Sequence, residues 1–302
     1  MKNPDDLQFY VSPSNIFLGL VTSLDDAGYV VVGVPYDRTS SYRTGSRFAP
    51  MAVRQASLNI ETFSIRSGFD LEDAKIADVG DLNPVATTAE LLENVEAVVR
   101  HLTRRGKLPI LLGGEHTLTL GAIQAFSKDI GVVSFDAHLD LRDEYLQEKV
   151  CHASFMRRVA ELIGPENIVE VGTRAVSRDE YRYAQEVGIP FFTSQQLNGK
   201  NSERYIEAIT EKVGRFRRIY VTVDMDVLDP AYAPGVGNPE ADGISTTTLL
   251  DVVTAVCDSR VTGIDLVEVD PPCDSGDQTA VTAARVLFEA IAAIEIQRRR
   301  NP

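Results

Sequence analysis

Seven short runs of apolar, largely β-branched residues recur along this chain. They lie at residues 29–35 (YVVVGVP), 75–79 (KIADV), 108–112 (LPILL), 130–135 (IGVVSF), 167–171 (NIVEV), 218–223 (RIYVTV) and 261–267 (VTGIDLV). Near-continuous apolar runs of this length suit a parallel sheet covered on both faces, because neither side of such a strand can face water. Stretches of helical periodicity fill the gaps. Residues 89–104 place Leu91, Leu92, Val95, Val98, Val99 and Leu102 on one stripe, with Thr88 as the expected N-cap and Gly106 beyond the end. Residues 202–213, 246–258 and 278–297 read the same way, the last closing on Arg298, Arg299 and Arg300, cations that suit a helix C-terminus. No Pro/Ser-rich linker, repeat or low-complexity tract divides the chain. The expected fold class is α/β: a single three-layer αβα domain over residues 1–302 with a many-stranded, mostly parallel sheet, residues 1–27 forming a peripheral arm.

Charge narrows the function. Among 302 residues, 30 Lys and Arg stand against 44 Asp and Glu, a formal charge of −14. That surplus repels phosphate backbones and anionic lipid, so neither nucleic acid nor membrane is an expected partner. It suits a cationic substrate or metal ions. No apolar run approaches the ~18 residues of a membrane-spanning helix. The polar start of the chain lacks a signal peptide's apolar run, and Cys151, Cys257 and Cys273 follow no metal-binding spacing. A reduced, cytoplasmic setting is expected.

Three polar clusters sit where predicted strands end, the edge at which open parallel sheets bind ligands. The first is Gly113-Gly114-Glu115-His116-Thr117, where paired glycines permit a tight turn. The second, Asp136-Ala137-His138-Leu139-Asp140, puts Asp136 and His138 on one side of an extended segment, with Asp140 following. The third contains Asp224 and Asp226, again alternating, and Asp229, which before Pro230 reads as a turn former. The alternative readings are a hydrogen-bonded structural histidine for the first cluster, a polar turn with an N-capping Asp for the second and solvated loop acids for the third. Carboxylates this close repel and raise one another's pKa unless a cation lies between them. Four carboxylates balance two divalent ions, and an oxygen and nitrogen donor set without thiolate selects Mn²⁺, Mg²⁺ or Fe²⁺.

In order and wording, GGEHT, SFDAHLD and DMDVLDP resemble the signature elements of the ureohydrolase family, the arginases, agmatinases and relatives, and the chain is similar to its archaeal-type agmatinase branch. GSRFAPMAVR (residues 45–54), GTR (172–174), APGVGNPEADG (233–243) and LVEVDPPCD (266–274) extend the resemblance. It implies two Mn²⁺ per chain held by His116, Asp136, His138, Asp140, Asp224 and Asp226. It implies a metal-bridging hydroxide attacking a guanidinium carbon, with Asp140 accepting a hydrogen bond from that hydroxide. Glu268 is implied as the carboxylate that binds the guanidinium, and His152 as a substrate-binding proton shuttle to the leaving amine. His152 departs from the family's His-Gly pattern, being followed by Ala153. Asn238, where many relatives carry Thr, stands at a substrate-contact position. A trimer or hexamer is implied as well.

The expected reaction is hydrolysis of agmatine to putrescine and urea, a step of polyamine synthesis. After Asp140, the segment LRDEYLQEKV carries three acids and a Tyr, which suit a primary ammonium better than a carboxylate. Arg142 keeps open arginine or guanidinobutyrate, and aminopropylagmatine is a further alternative. A mononuclear zinc deacetylase of related fold and a metal-stabilised non-catalytic scaffold are the competing classes.

Overall fold

The structure, a computed structural model, describes residues 7–300 apart from residues 13, 127 and 128 and the side chain of residue 8. In chain order the elements are β1 (Val11–Ser12), β2 (Tyr29–Val34), α1 (Ala49–Ser57), β3 (Phe63–Ser64), β4 (Phe69–Asp70), β5 (Ile76–Leu82), α2 (Thr88–Arg104), β6 (Leu108–Gly113), α3 (Leu118–Gln124) and β7 (Gly131–Phe135). They continue with α4 (Phe155–Ile163), β8 (Ile168–Thr173), α5 (Arg178–Val187), β9 (Phe191–Thr193), α6 (Ser194–Asn198), α7 (Ser202–Val213), β10 (Ile219–Asp224), α8 (Thr246–Val256), β11 (Val261–Val267) and α9 (Gln278–Arg300). All seven apolar runs seed strands. β3 and β4 form a separate small hairpin.

Nine strands make one sheet in the order β1-β5-β2-β6-β11-β10-β7-β8-β9. Every pairing is parallel except β1 with β5, where Val11 faces Leu82 in an antiparallel edge. The N-terminal arm expected over residues 1–27 thus contributes a strand to the sheet; residues 1–6 of it lie outside the described residues. Alternate strand residues enter opposite cores, as the two-residue pleat requires. Tyr29 and Val31 of β2 pack with α1, α8 and α9, whereas Val30, Val32 and Val34 pack with α2, α3 and α4. These two apolar layers around the sheet make the expected three-layer architecture.

The predicted stripe of α2 is buried as a unit. Its cap is Thr87, one residue before the expected Thr88: Thr87 Oγ1 accepts the Glu90 N–H at 3.1 Å. Thr88 is already helical, and its hydroxyl lies 2.9 Å from Tyr36 OH. For function, the decisive feature is strand order. β6 and β7 follow each other in sequence but are separated in the sheet by β11 and β10. Four strand ends, drawn from residues 113 to 267, therefore lie side by side.

Candidate active site

Each of those four strands delivers a polar segment to the same rim. β6 leads into Gly114, where a Cβ would lie 1.9 Å from the Tyr36 carbonyl oxygen, so only glycine allows the close turn that presents His116. β7 ends at Phe135, which places residues 136–140 in a loop and corrects the expectation of an extended alternating segment. Asp136 and His138 converge for a different reason: Asp136 Oδ1 accepts the His138 backbone N–H at 2.7 Å and curls the chain. Asp140 sits at φ 49°, a left-handed conformation that is costly for a side-chain-bearing residue. β10 behaves alike. It stops at Asp224, whose Oδ1 accepts the Asp226 N–H at 2.8 Å as a short 3₁₀ turn (Met225–Val227) begins.

The result is two donor groups that share one residue. His116, Asp136 and Asp140 gather in one, and Asp136, His138 and Asp226 in the other. Asp136 turns Oδ2 to His116 Nδ1 at 3.1 Å and Oδ1 toward His138 Nδ1 at 3.4 Å. Asp224 Oδ2 joins the first group, 3.3 Å from His116 Nδ1, and Asp226 Oδ2 lies 3.1 Å from His138 Nδ1. Asp140 Oδ2 is 3.8 Å from His116 Nδ1. All six sequence-predicted ligands thus meet in one place.

Whether this set fits a metal can be tested on His116. Its Nε2 lies 2.7 Å from Thr222 Oγ1, and the Thr222 proton goes to Asp265 Oδ1, so Nε2 must donate. That tautomer leaves the Nδ1 lone pair pointing at carboxylates, and Nδ1 is a buried atom with no hydrogen-bond partner. A lone pair facing anions is stable only around a cation or a proton. The electrostatics agree. Burial, reinforced by Asp136, pushes Asp140 well above the usual carboxylate range, and burial with Asp226 does the same to Asp224. Burial opposes charge on His116, yet Asp136 and Asp224 outweigh it and hold its pKa well above that of free imidazole. The donors fit a pair of hard divalent ions.

These groups open into a cavity of about 650 Å³. Glu268 and Asn238 line it beside Asp224 and Asp226. Glu268, at the end of β11 with φ 63°, accepts the His116 N–H through Oε1 at 2.9 Å. Burial, then the charge of Glu115, raises its pKa to about 8. His152 also lines the cavity, its Nε2 3.1 Å from Ser41 Oγ and its Nδ1 3.3 Å from Thr39 Oγ1. Burial, with the charge of His138, lowers its pKa to about 4, so it rests neutral. Arg142, the residue that kept a carboxylate-bearing substrate open, lies 3.6 Å from Glu180 and stacks over the Tyr145 ring at 4.8 Å.

A profile of the arginase family matches residues 27–293. The chain belongs to the arginase family. It is 38% identical over 282 residues to an agmatinase of Bacillus anthracis, covering 91% of this chain and 95% of that protein. It is 35% identical over 274 residues to the N(1)-aminopropylagmatine ureohydrolase of Thermococcus kodakarensis, covering 89% and 92%. The crystal structure of the agmatine ureohydrolase of Thermoplasma volcanium superposes with a TM-score of 0.89 at 37% identity, over 98% of this chain and 99% of that one. This arginase-family chain is therefore a ureohydrolase, with the αβα fold of its relatives.

Around the site, the ureohydrolase uses residues that sequence reading missed. Asp265 of β11 accepts from Tyr220 OH and Thr119 Oγ1, both at 2.8 Å, and from Thr222, which orients His116. The signal was an Asp inside an otherwise apolar run, a buried acid that must have partners. Glu115 grips Thr39 through its N–H and Oγ1, each at 2.6 Å, and Thr39 Oγ1 in turn accepts the His152 N–H at 3.0 Å. Arg174 donates to the carbonyls of Gly172, Asp226, Val227, Leu228, Glu240 and Ala241 at 2.7–3.3 Å. One guanidinium thereby ties the Asp226 turn to the loop that carries Asn238 and Glu240. Its place in GTR signalled family likeness but not this role.

Proposed function

We propose that this chain hydrolyses the guanidinium group of agmatine to putrescine and urea, using two Mn²⁺ ions. His116, Asp136, Asp140 and Asp224 would hold one, and Asp136, His138 and Asp226 the other. When bound, such a pair lowers the pKa of shared water toward ~7 and supplies hydroxide at neutral pH. Glu268 orients the substrate: Oε1 is tied to the His116 N–H, which leaves Oε2 for the planar guanidinium, with Asn238 beside it. Asp140 accepts a hydrogen bond from the attacking oxygen. His152, neutral at rest, takes up a proton released by the attack and passes it to the departing amine.

The observation that carries the choice of substrate is the charge at the outer wall. The cations there are already engaged, Arg142 by Glu180 and Tyr145, Arg174 by six carbonyls. Glu240 remains half-exposed, its carboxylate no nearer than 3.9 Å to the His138 ring. A primary ammonium meets Glu240, whereas a carboxylate tail would have to draw Arg142 away from Glu180 and Tyr145. The volume also admits aminopropylagmatine, whose extra ammonium would reach the acidic wall. We further propose a cytoplasmic enzyme of one domain assembled as a trimer or hexamer.

A panel of agmatine, aminopropylagmatine, arginine and guanidinobutyrate, run with metal-depleted and Mn²⁺-restored enzyme, tests this. Urea release should depend on Mn²⁺ and be fastest from agmatine, with Glu240→Gln lowering kcat/KM for agmatine about tenfold, the worth of one charge-assisted contact. Fastest turnover of guanidinobutyrate or arginine would overturn the assignment.

A further inference from the structure

We infer that the enzyme carries a second binding site, for a phosphate group, at the opposite end of the sheet from the catalytic cavity. A cavity of about 380 Å³ lies where β6 and β11 begin, at Leu108 and Val261. Four cations face it: Arg104 from the end of α2, Lys107 just before β6, Arg218 just before β10 and Arg298 from the last turns of α9. None of the described residues lining it is acidic. In a chain with 44 acids against 30 Lys and Arg, a carboxylate-free pocket with four cations runs against composition.

The plainer explanation is that basic residues gather at helix C-termini to bond the last carbonyls. Their donors are placed otherwise. Lys107 Nζ donates to the carbonyls of Asp25 and Ala27, in the loop before β2, at 2.6 and 2.8 Å. Arg218 Nε donates to the Asp129 carbonyl at 2.9 Å, and Arg298 lies over the Tyr29 ring at 5.2 Å. The Arg104 side chain makes no hydrogen bond or ion pair among the described residues. Of the nearby acids, Asp258 takes Arg260 through both oxygens, and Glu295 accepts Tyr29 OH at 2.7 Å and lies 3.9 Å from Arg298, which leaves Arg104 and Lys107 as the anion-binding pair. Lys107 keeps one N–H and Arg104 all five. A guanidinium fork and an ammonium together match the geometry and charge of phosphate. Leu108, Val261 and Phe126 add an apolar wall on which an organic body can rest. The volume falls within the ~300–1,000 Å³ typical of small-molecule sites. The ligand is therefore phosphate, free or carried on a small molecule.

Equilibrium dialysis of the metal-loaded enzyme at fixed ionic strength, with labelled inorganic phosphate and with glycerol phosphate, tests the site. Saturable binding of one phosphate per chain is expected, with a Kd of about 1 mM or tighter. Tighter binding of glycerol phosphate would assign the site to an organic phosphate, and equal binding to the free anion. The variant Arg104→Gln should weaken binding at least about tenfold, with urea release in phosphate-free buffer and the thermal midpoint unchanged. Absence of saturable binding, undiminished binding by that variant, or binding lost on Asp136→Asn, which would place the anion at the catalytic centre, would each overturn the proposal.

Discussion

Beside β2 and β5, the Arg54 guanidinium is wholly buried. Asp78 meets it at 2.7 and 2.9 Å, Asp81 forms a second ion pair, and the Gly80 carbonyl accepts at 3.0 Å. At the rim of β6, β11, β10 and β7, the equally buried Asp136, Asp140, Asp224 and Asp226 have only two imidazoles beside them, and no Arg or Lys pairs with them among the described residues. The first cluster comes with its own cation and is complete as folded. The second lacks positive charge. Burying carboxylates without a counter-charge is costly unless donors satisfy them, as three hydroxyls satisfy Asp265, so four such acids around two imidazoles call for an outside cation. What marks the functional site is this deficit, not the number of acids.

Substitutions that remove one member of each cluster separate the two kinds. The largest effect is expected from Asp136→Asn, because Asp136 belongs to both donor groups. Urea release should fall about 10³-fold or more, and atomic absorption should find fewer than two ions per chain. Full activity with a full metal complement would erase the contrast. Arg54→Met attacks the other cluster and leaves Asp78 and Asp81 unpaired. It should cost about 3–5 kcal/mol in denaturant unfolding, while the folded fraction keeps its metal. A smaller effect sharpens the comparison at the cavity wall, where His152 is buried and neutral. Its folded pKa of about 4 lies below the ordinary 6.5, so the unfolded chain takes the proton first as pH falls. Its contribution is whole above about pH 6.5 and is lost as pH falls toward 4. Unfolding midpoints of His152→Asn measured between pH 7 and 4 should show acid sensitivity reduced by on the order of 2 kcal/mol. Unchanged acid sensitivity would mean that His152 is already charged in the folded state.

The strands and main helices were readable because their signal is local: a buried parallel strand needs an apolar run, and an amphipathic helix needs a stripe. The polar clusters were readable too, as residues two and four apart that no apolar core accepts. Their geometry was not. Alternation along a strand placed Asp136 beside His138 for the wrong reason, since the strand had already ended and a side-chain to backbone bond curls the loop. The supports were least visible. Thr222 lies 106 residues from His116, and Arg174 lies 66 from the Glu240 carbonyl it holds. Such pairs carry no sequence spacing.

From its sequence alone, this chain was bound to bury parallel strands between helices and to carry six metal-type donors at strand ends, because hydrophobic patterning and donor chemistry are properties of residues close together in the chain. Strand order decided the rest. Placing β11 and β10 between β6 and β7 joined three distant segments into one rim, turned the His116 lone pair inward and paired Arg142 with Glu180. Which charges end up partnered depends on neighbours brought together only by folding, and it is that partnering that separates a structural ion cluster from a site.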